Sequence, residues 1–329
     1  MVANVGGRPK HKYISKLAID IADFHNFRVK RGFSEVTYKG SLRSLDAYYA
    51  KKYPDLEVLT REAVLAWISD QNSAVDVLAI NSIAIRQFAE YLHAMGKEAY
   101  ILPAAFLPRS KRMTPYIFSD AEIKALFYAI DTMPISANNA FEHHVAPILF
   151  RLMYTCGLRP NEAYDLTTES VNVETGEIFL KHTKGHKERI VVMSDDMLVL
   201  YKDYLKKLAI YMPRATYAFP FKKDIPFNGD QATYILRKCW AHANSHVPAQ
   251  ELPCIRPYDL RHRFASAVLS KWVSEGCDIN AKLPYLRTYM GHDDIALTAY
   301  YIHLIPDNIV KAGGVNWNKL NDILPEVVL

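Results

Sequence analysis

Residues 157–193 read GLRPNEAYDLTTESVNVETGEIFLKHTKGHKERIVVM, and two structural periods meet inside them. Gly157 closes one helical segment, and Pro160 suits the first position of the next, where an N–H would have no partner anyway. From Val171 the pattern alternates. Val171, Val173, Ile178, Leu180, Ile190 and Val192 recur at strand spacing, with turns at Glu174-Thr175-Gly176 and Lys184-Gly185. This predicts a three-stranded antiparallel meander. Both flanks carry helical periods instead: residues 145–155 are strongly apolar up to Cys156, and helices resume near 195 and continue to the end. The expected fold class is mainly α with a small antiparallel β-meander.

Further upstream the chain is helical throughout. Leu17, Ile21, Phe24 and Arg28 keep one helical face, and Leu42, Leu45 and Tyr49 define a second helix over 36–50. Thr60 is a suitable N-cap for REAVLAWI, and IRQFAEYLHAM ends before Gly96. LPAAFLPRSKRMTP then reads as an extended linker, with its prolines and a basic knot of Arg109, Lys111 and Arg112. Ser119 and Glu122 form a capping box that opens the next apolar run. The expected organisation is a basic flexible tail over 1–13, a helical domain over 14–103, a basic linker over 104–116 and a second domain over 117–329.

The 329 residues are half hydrophobic, enough for two cores, and carry a formal net charge of +5. The charge is placed unevenly. Arg8, Lys10, Lys12 and Lys16 open the chain with no acid among them, a distribution that suits a polyanion. Four dispersed cysteines lack any Cys-x-x-Cys pair and read as reduced packing residues of a cytoplasmic protein. No apolar run has the length of a membrane span.

Several polar groups could carry chemistry. Arg159 stands at a helix N-terminus beside Glu162, which suits either a phosphate contact or a surface arginine beside a cap. In RPYDLRHRFASAVL, Tyr258 and Arg261 stand i, i+3 above a stripe of Phe264, Val268 and Leu269, as a phosphate clamp or as a packed aromatic with a rim ion pair. Lys181, Lys184 and Lys187 surround the hairpin turn. MGHDDIALTAYYIHL (290–304) ends in two adjacent tyrosines, which on a helix point about 100° apart. Helical period alone does not choose between Tyr300 and Tyr301.

In this order, the pieces GLRPNE, TKGHKER, YDLRHRFAS and GHDDIALTAYYIH resemble the boxes of the tyrosine recombinase (phage integrase) family over residues 14–308. The resemblance implies a two-domain, C-shaped DNA clamp, with a SAM-like core-binding domain and a tyrosine recombinase catalytic domain that includes a C-terminal helix. It implies Arg159, Lys184, Arg261 and His292 as catalytic residues. Tyr258 stands where the family has a histidine. The nucleophile is Tyr301, ten residues after Gly291 and two before His303. The implied reaction is site-specific DNA strand exchange through a 3′-phosphotyrosine, without metal or other cofactor. Double-stranded DNA is the implied partner, held in a tetrameric homo-oligomeric synapse with accessory directionality factors or related recombinases, and no membrane is involved. Arg8 and Lys10 in GRPK, with Arg109, Lys111 and Arg112, are the expected DNA-binding residues. The biological role expected is integration or excision of a mobile element in the cytoplasm, at the nucleoid. A Xer-type dimer resolvase or a non-cleaving DNA-binding relative are the alternatives.

Overall fold

The computed structural model describes residues 13–106, 114–135, 141–181, 188–222 and 224–301. Several expectations fall outside these residues: Arg8, Lys10, Arg109, Lys111, Arg112, Lys184, His303 and the C-terminal helix. The chain divides between Met113 and Thr114 into two compact units.

The first unit contains α1 (Ala18–Lys30), α2 (Lys39–Lys52), α3 (Arg61–Ser69) and α4 (Val75–Ala94). Its core is the set that helical spacing selects: Leu17, Ile21, Phe24, Leu42, Leu45 and Tyr49, joined by Val64, Trp67 and Phe88. Each fully buried aliphatic or aromatic side chain contributes ~1.5–3 kcal/mol. The Thr60 hydroxyl caps α3 by accepting from the Ala63 N–H at 3.3 Å. Asp46, buried on α2, accepts from the Ser15 N–H at 2.9 Å and its hydroxyl at 2.6 Å, which ties the chain entering α1 to the bundle. Arg28 completes the inner face of α1. Its guanidinium lies over the rings of Phe33 and Tyr38 and donates to Gln87 at 2.6 Å.

The second unit opens with α5 (Asp120–Asp131), where both hydrogen bonds of the Ser119–Glu122 capping box form. Next come α6 (Glu142–Thr155), α7 (Pro160–Tyr164), β1 (Glu177–Leu180), β2 (Arg189–Val192) and α8 (Asp195–Tyr211). The short hairpin β3 (Pro220–Lys222) and β4 (Ile225–Pro226) follows. It is succeeded by α9 (Gly229–Ala243), α10 (Pro257–Ser274), α11 (Ile279–Met290) and α12 (Ile295–Ala299). Helix α6 buries Val145, Ala146, Leu149, Phe150, Leu152 and Met153 and packs against α5, α7, α8 and α10. A helix apolar on nearly every side can only be central. A second core joins α10, α11 and the segment after them through Leu269, Val273, Leu283, Met290 and Tyr301.

The sheet differs from expectation in three ways. The meander reduces to two strands, because residues 171–173 contribute a single bridge, Val171 to Ile178. The inward residue of β2 is Val191, while Ile190 and Val192 are half exposed. The register explains this: Val191 pairs with Ile178, and residues directly opposite one another in an antiparallel ladder share a face. The hairpin at 220–226 also interrupts a stretch expected to be all helical. Of the cysteines, Cys156 and Cys239 are buried as expected of packing residues, but Cys254 is exposed. Among the described residues no helix is long and apolar enough to cross a membrane.

Candidate active site

The C-terminus of α11 organises the site. Gly291 takes a left-handed conformation (φ 63°) and closes the helix: its own N–H bonds the Thr288 carbonyl, and the His292 N–H bonds that of Arg287. The next three carbonyls lie at the negative end of the helix, and each receives an arginine. Arg189 Nε donates to Tyr289 O at 2.9 Å, Arg261 Nη2 to Met290 O at 2.7 Å, and Arg159 Nη2 to Gly291 O. A side chain at 291 would press on this cluster, since a Cβ there would stand 3.0 Å from Arg189 Nη1 and 3.3 Å from Arg159 Nη1.

Glu162 holds two of these arginines. From the first turn of α7 it accepts the Arg159 backbone N–H and an Arg159 guanidinium N–H, both at 2.8 Å. Arg189 reaches the same carboxylate with two parallel bonds of 2.7 Å. Burial alone raises the pKa of such a carboxyl, but the Arg189 and Arg159 contacts outweigh it and hold Glu162 below its usual range. The helix end thus gathers three guanidinium groups and one carboxylate, which bonds two of them, and the excess positive charge suits an anion.

Arg261 is fully buried rather than displayed above its apolar stripe. Its Nη1 donates to Gly157 O at 2.6 Å, and its Nη2 also lies 3.0 Å from His292 Nε2. Gly157 meets this arginine in a left-handed turn (φ 63°), packed so closely that a Cβ would lie 2.5 Å from the Phe264 ring. Arg261 Nε is buried and meets no acceptor among the described residues. Because a guanidinium only donates, His292 Nε2 accepts, and its Nδ1–H donates to Thr298 Oγ1 at 2.8 Å. Burial, then Arg261, Arg159 and Arg189, depress the His292 pKa to about 3, so the ring is neutral.

The two tyrosines separate clearly. Helix α12 ends at Ala299, and the chain tightens into a 3-10 turn at 300–301. Tyr301 is buried in this turn, with its ring stacked 6.1 Å from that of His292, whereas Tyr300 is partly exposed. Tyr301 Oη lies 2.9 Å from His262 Nδ1. Burial pushes the phenol pKa well up, against the pull of Arg261. One turn before His262 on α10, Tyr258 sets its ring 4.9 Å away at a tilt of 54° and lines an open cleft of about 880 Å³ shared with Arg159, Asn161, Thr167 and Lys181.

Residues far apart in sequence therefore converge: Arg261, His292 and Tyr301 form one hydrogen-bonded and stacked group, Arg159 bonds the carbonyl of Gly291 beside it, and Tyr258 packs on His262 at its rim. Arg189, His262 and Thr298 complete it. Sequence reasoning did not single these out, although Arg189 and His262 lie inside the quoted boxes and His262 shares a helical face with Tyr258 at i+4.

A fold of this kind, with arginines and a buried tyrosine gathered at one helix end, is that of a DNA strand-transfer enzyme, and comparison with known proteins agrees. Residues 117–307 match the phage integrase family, and the chain belongs to it. It is a tyrosine-type site-specific recombinase. The chain is 28% identical over 283 residues to the integrase/recombinase-type protein y4rE of Sinorhizobium fredii, covering 84% of this chain and 88% of that one. It is 29% identical over 298 residues to tyrosine recombinase XerD of Rickettsia conorii, covering 85% and 90%. Among solved structures, the XerH site-specific recombinase bound to palindromic difH shares the fold, with a TM-score of 0.64 and 16% identity over 94% of this chain and 99% of that one.

Proposed function

We propose that this recombinase cuts double-stranded DNA with Tyr301 and integrates or excises a mobile genetic element. The carrying observation is that Arg159 bonds the Gly291 carbonyl, Arg261 bonds the adjacent His292, and the His292 ring stacks on the buried Tyr301. In this reading the Tyr301 oxygen attacks a phosphodiester, forms a 3′-phosphotyrosine and frees a 5′-hydroxyl. Arg159 and Arg261 hold the non-bridging oxygens and offset the charge of the transition state. The buried, unpartnered Arg261 Nε supports this role, because a phosphate oxygen supplies the missing acceptor. His292 contacts the phosphate once Arg261 turns to it. The Thr298 hydroxyl can then donate to Nδ1 and leave Nε2–H free to donate to the phosphate. Tyr258 donates from the rim of the cleft, and Lys184 protonates the leaving 5′-oxygen. The phosphotyrosine conserves the bond energy, so rejoining by a partner strand needs no nucleotide cofactor.

Arg8, Lys10, Arg109, Lys111 and Arg112 contribute backbone contacts to DNA. The XerH structure holds DNA, which supports DNA as the substrate here. Exchange between two duplexes calls for a homotetrameric synapse at the nucleoid. The likeness to XerD favours a second biological role with the same chemistry, resolution of chromosome or plasmid dimers.

The test is a nicked suicide duplex that traps the covalent complex, followed by peptide mapping. The adduct is expected on Tyr301. Tyr301→Phe is expected to fold, bind DNA and form none, while Tyr300→Phe still forms it. An adduct on Tyr300, or cleavage by Tyr301→Phe, overturns the assignment.

A further inference from the structure

Resting on Tyr301 as nucleophile, one requirement is still unmet: the phenol must lose its proton as it attacks. Tyr258 is itself a phenol and a poor base at neutral pH. His292 has both ring nitrogens engaged, Nε2 by Arg261 and Nδ1 by Thr298. The nitrogen that meets the Tyr301 oxygen is His262 Nδ1, at 2.9 Å, within the range that direct proton transfer requires.

We propose that His262 is a catalytic residue, the general base that takes the Tyr301 proton. In the forward step the Tyr301 Oη–H bond breaks and its proton passes to His262 Nδ1, giving an imidazolium. The Oη–P bond forms and the P–O5′ bond breaks. Its electron pair leaves on the 5′-oxygen, which takes a proton from the general acid. In rejoining, the incoming 5′-hydroxyl returns its proton to the deprotonated general acid as its oxygen attacks phosphorus, the P–Oη bond breaks, and the released phenolate recovers its proton from His262.

The surroundings fit a proton that comes and goes. Burial, then Arg256 and Arg261, lower the His262 pKa to about 4, so the ring is neutral, and in the tautomer with its hydrogen on Nε2 the Nδ1 atom accepts from the Tyr301 hydroxyl. The groups facing the His262 ring are Tyr258 and Arg261 from its own helix, Arg256 at that helix's N-cap, His292 from the segment after α11 and Tyr301 from the turn. A DNA phosphate held by Arg261 adds the negative charge that offsets those cations and raises the basicity of the imidazole when the substrate is present.

The experiment uses the full chain and a nicked suicide duplex that the wild-type protein cleaves, with His262→Ala and His262→Asn. Asparagine keeps a hydrogen-bond acceptor near the Nδ1 position but takes up no proton, so it reads the chemistry even where alanine disturbs folding. Both variants are expected to bind DNA as the wild type does and to form the Tyr301 adduct more than ~100-fold more slowly. Placing 3,5-difluorotyrosine at position 301 makes the phenol ionise more readily, and the gap between wild type and His262→Asn should then narrow at least ~10-fold, in line with a base made dispensable. A rate close to wild type in His262→Asn, or a gap that the fluorinated nucleophile leaves unchanged, overturns the proposal while the adduct still maps to Tyr301. An adduct on another residue removes the Tyr301 reading, and this proposal with it.

Discussion

Replacing Glu162 by Gln removes one negative charge from a site built around it. The Glu162 side chain is 7% exposed, that of Arg189 9% and that of Arg159 14%, so water compensates little of the loss. The carboxylate accepts four hydrogen bonds of 2.7–2.8 Å from the two arginines. A carboxamide offers one oxygen and turns an N–H₂ toward a guanidinium. Breaking a buried ion pair from one side costs ~3–5 kcal/mol, because the partner charges remain buried. For a unit of this size, that lowers the melting temperature by roughly 6–20 °C. The pH dependence follows from the direction of the pKa shift. Glu162 titrates lower in the folded chain than in the unfolded one, so its contribution is fully present above the unfolded value of ~4.3. It is lost as pH falls from there through the folded value. The gap between wild type and Glu162→Gln should therefore be full at pH 7 and shrink in acid. A double-mutant cycle with Arg189→Met, read by urea or thermal unfolding, isolates the pair. Loss below about 1 kcal/mol at pH 7, or a gap that widens on acidification, would refute the account of the clamp.

Arg261→Lys should retain the fold better than Arg261→Ala, which leaves the Gly157 and Met290 carbonyls unpaired at a cost of ~1–3 kcal/mol each; both should abolish suicide-substrate cleavage. Arg159→Ala should lose cleavage yet keep much of the DNA affinity, since backbone contacts are dispersed; retained cleavage removes it from the site. Tyr258→Phe should slow cleavage by ~10–100-fold through loss of one hydrogen bond to a charged group, and Tyr258→His should equal or exceed wild type. A wild-type rate in Tyr258→Phe removes that bond from the mechanism. Gly157→Ala should destabilise by about 2–5 kcal/mol in denaturant titration, combining left-handed strain with the clash against Phe264.

Much of this protein was legible in its sequence because the signals are local. Thr60 and Ser119 with Glu122 mark helix starts through hydrogen bonds that reach no further than three residues, and Pro160 marks one because the first helical position needs no N–H. Leu42, Leu45 and Tyr49 face inward because one helical turn decides their side. The boxes around Arg159, Arg261, His292 and Tyr301 carried the family and the candidate residues. Contacts between elements were not legible. Period 2 at Ile190–Val192 leaves the phase open, and pairing with Ile178 turned Val191 inward. Arg261 looked like a displayed group because an i+3 pattern describes one helix, whereas its acceptors come from Gly157 and from the end of α11. Arg189 finds Glu162 27 residues away and Tyr289 100 residues away. Helical period did not distinguish the surroundings of Tyr300 and Tyr301, whereas the end of α12 and the 3-10 turn after it bring Tyr301 to His262, 39 residues upstream. A helical repeat states which side of an element is apolar, but where a buried charge or phenol finds its partner depends on packing between elements, which only the tertiary structure supplies.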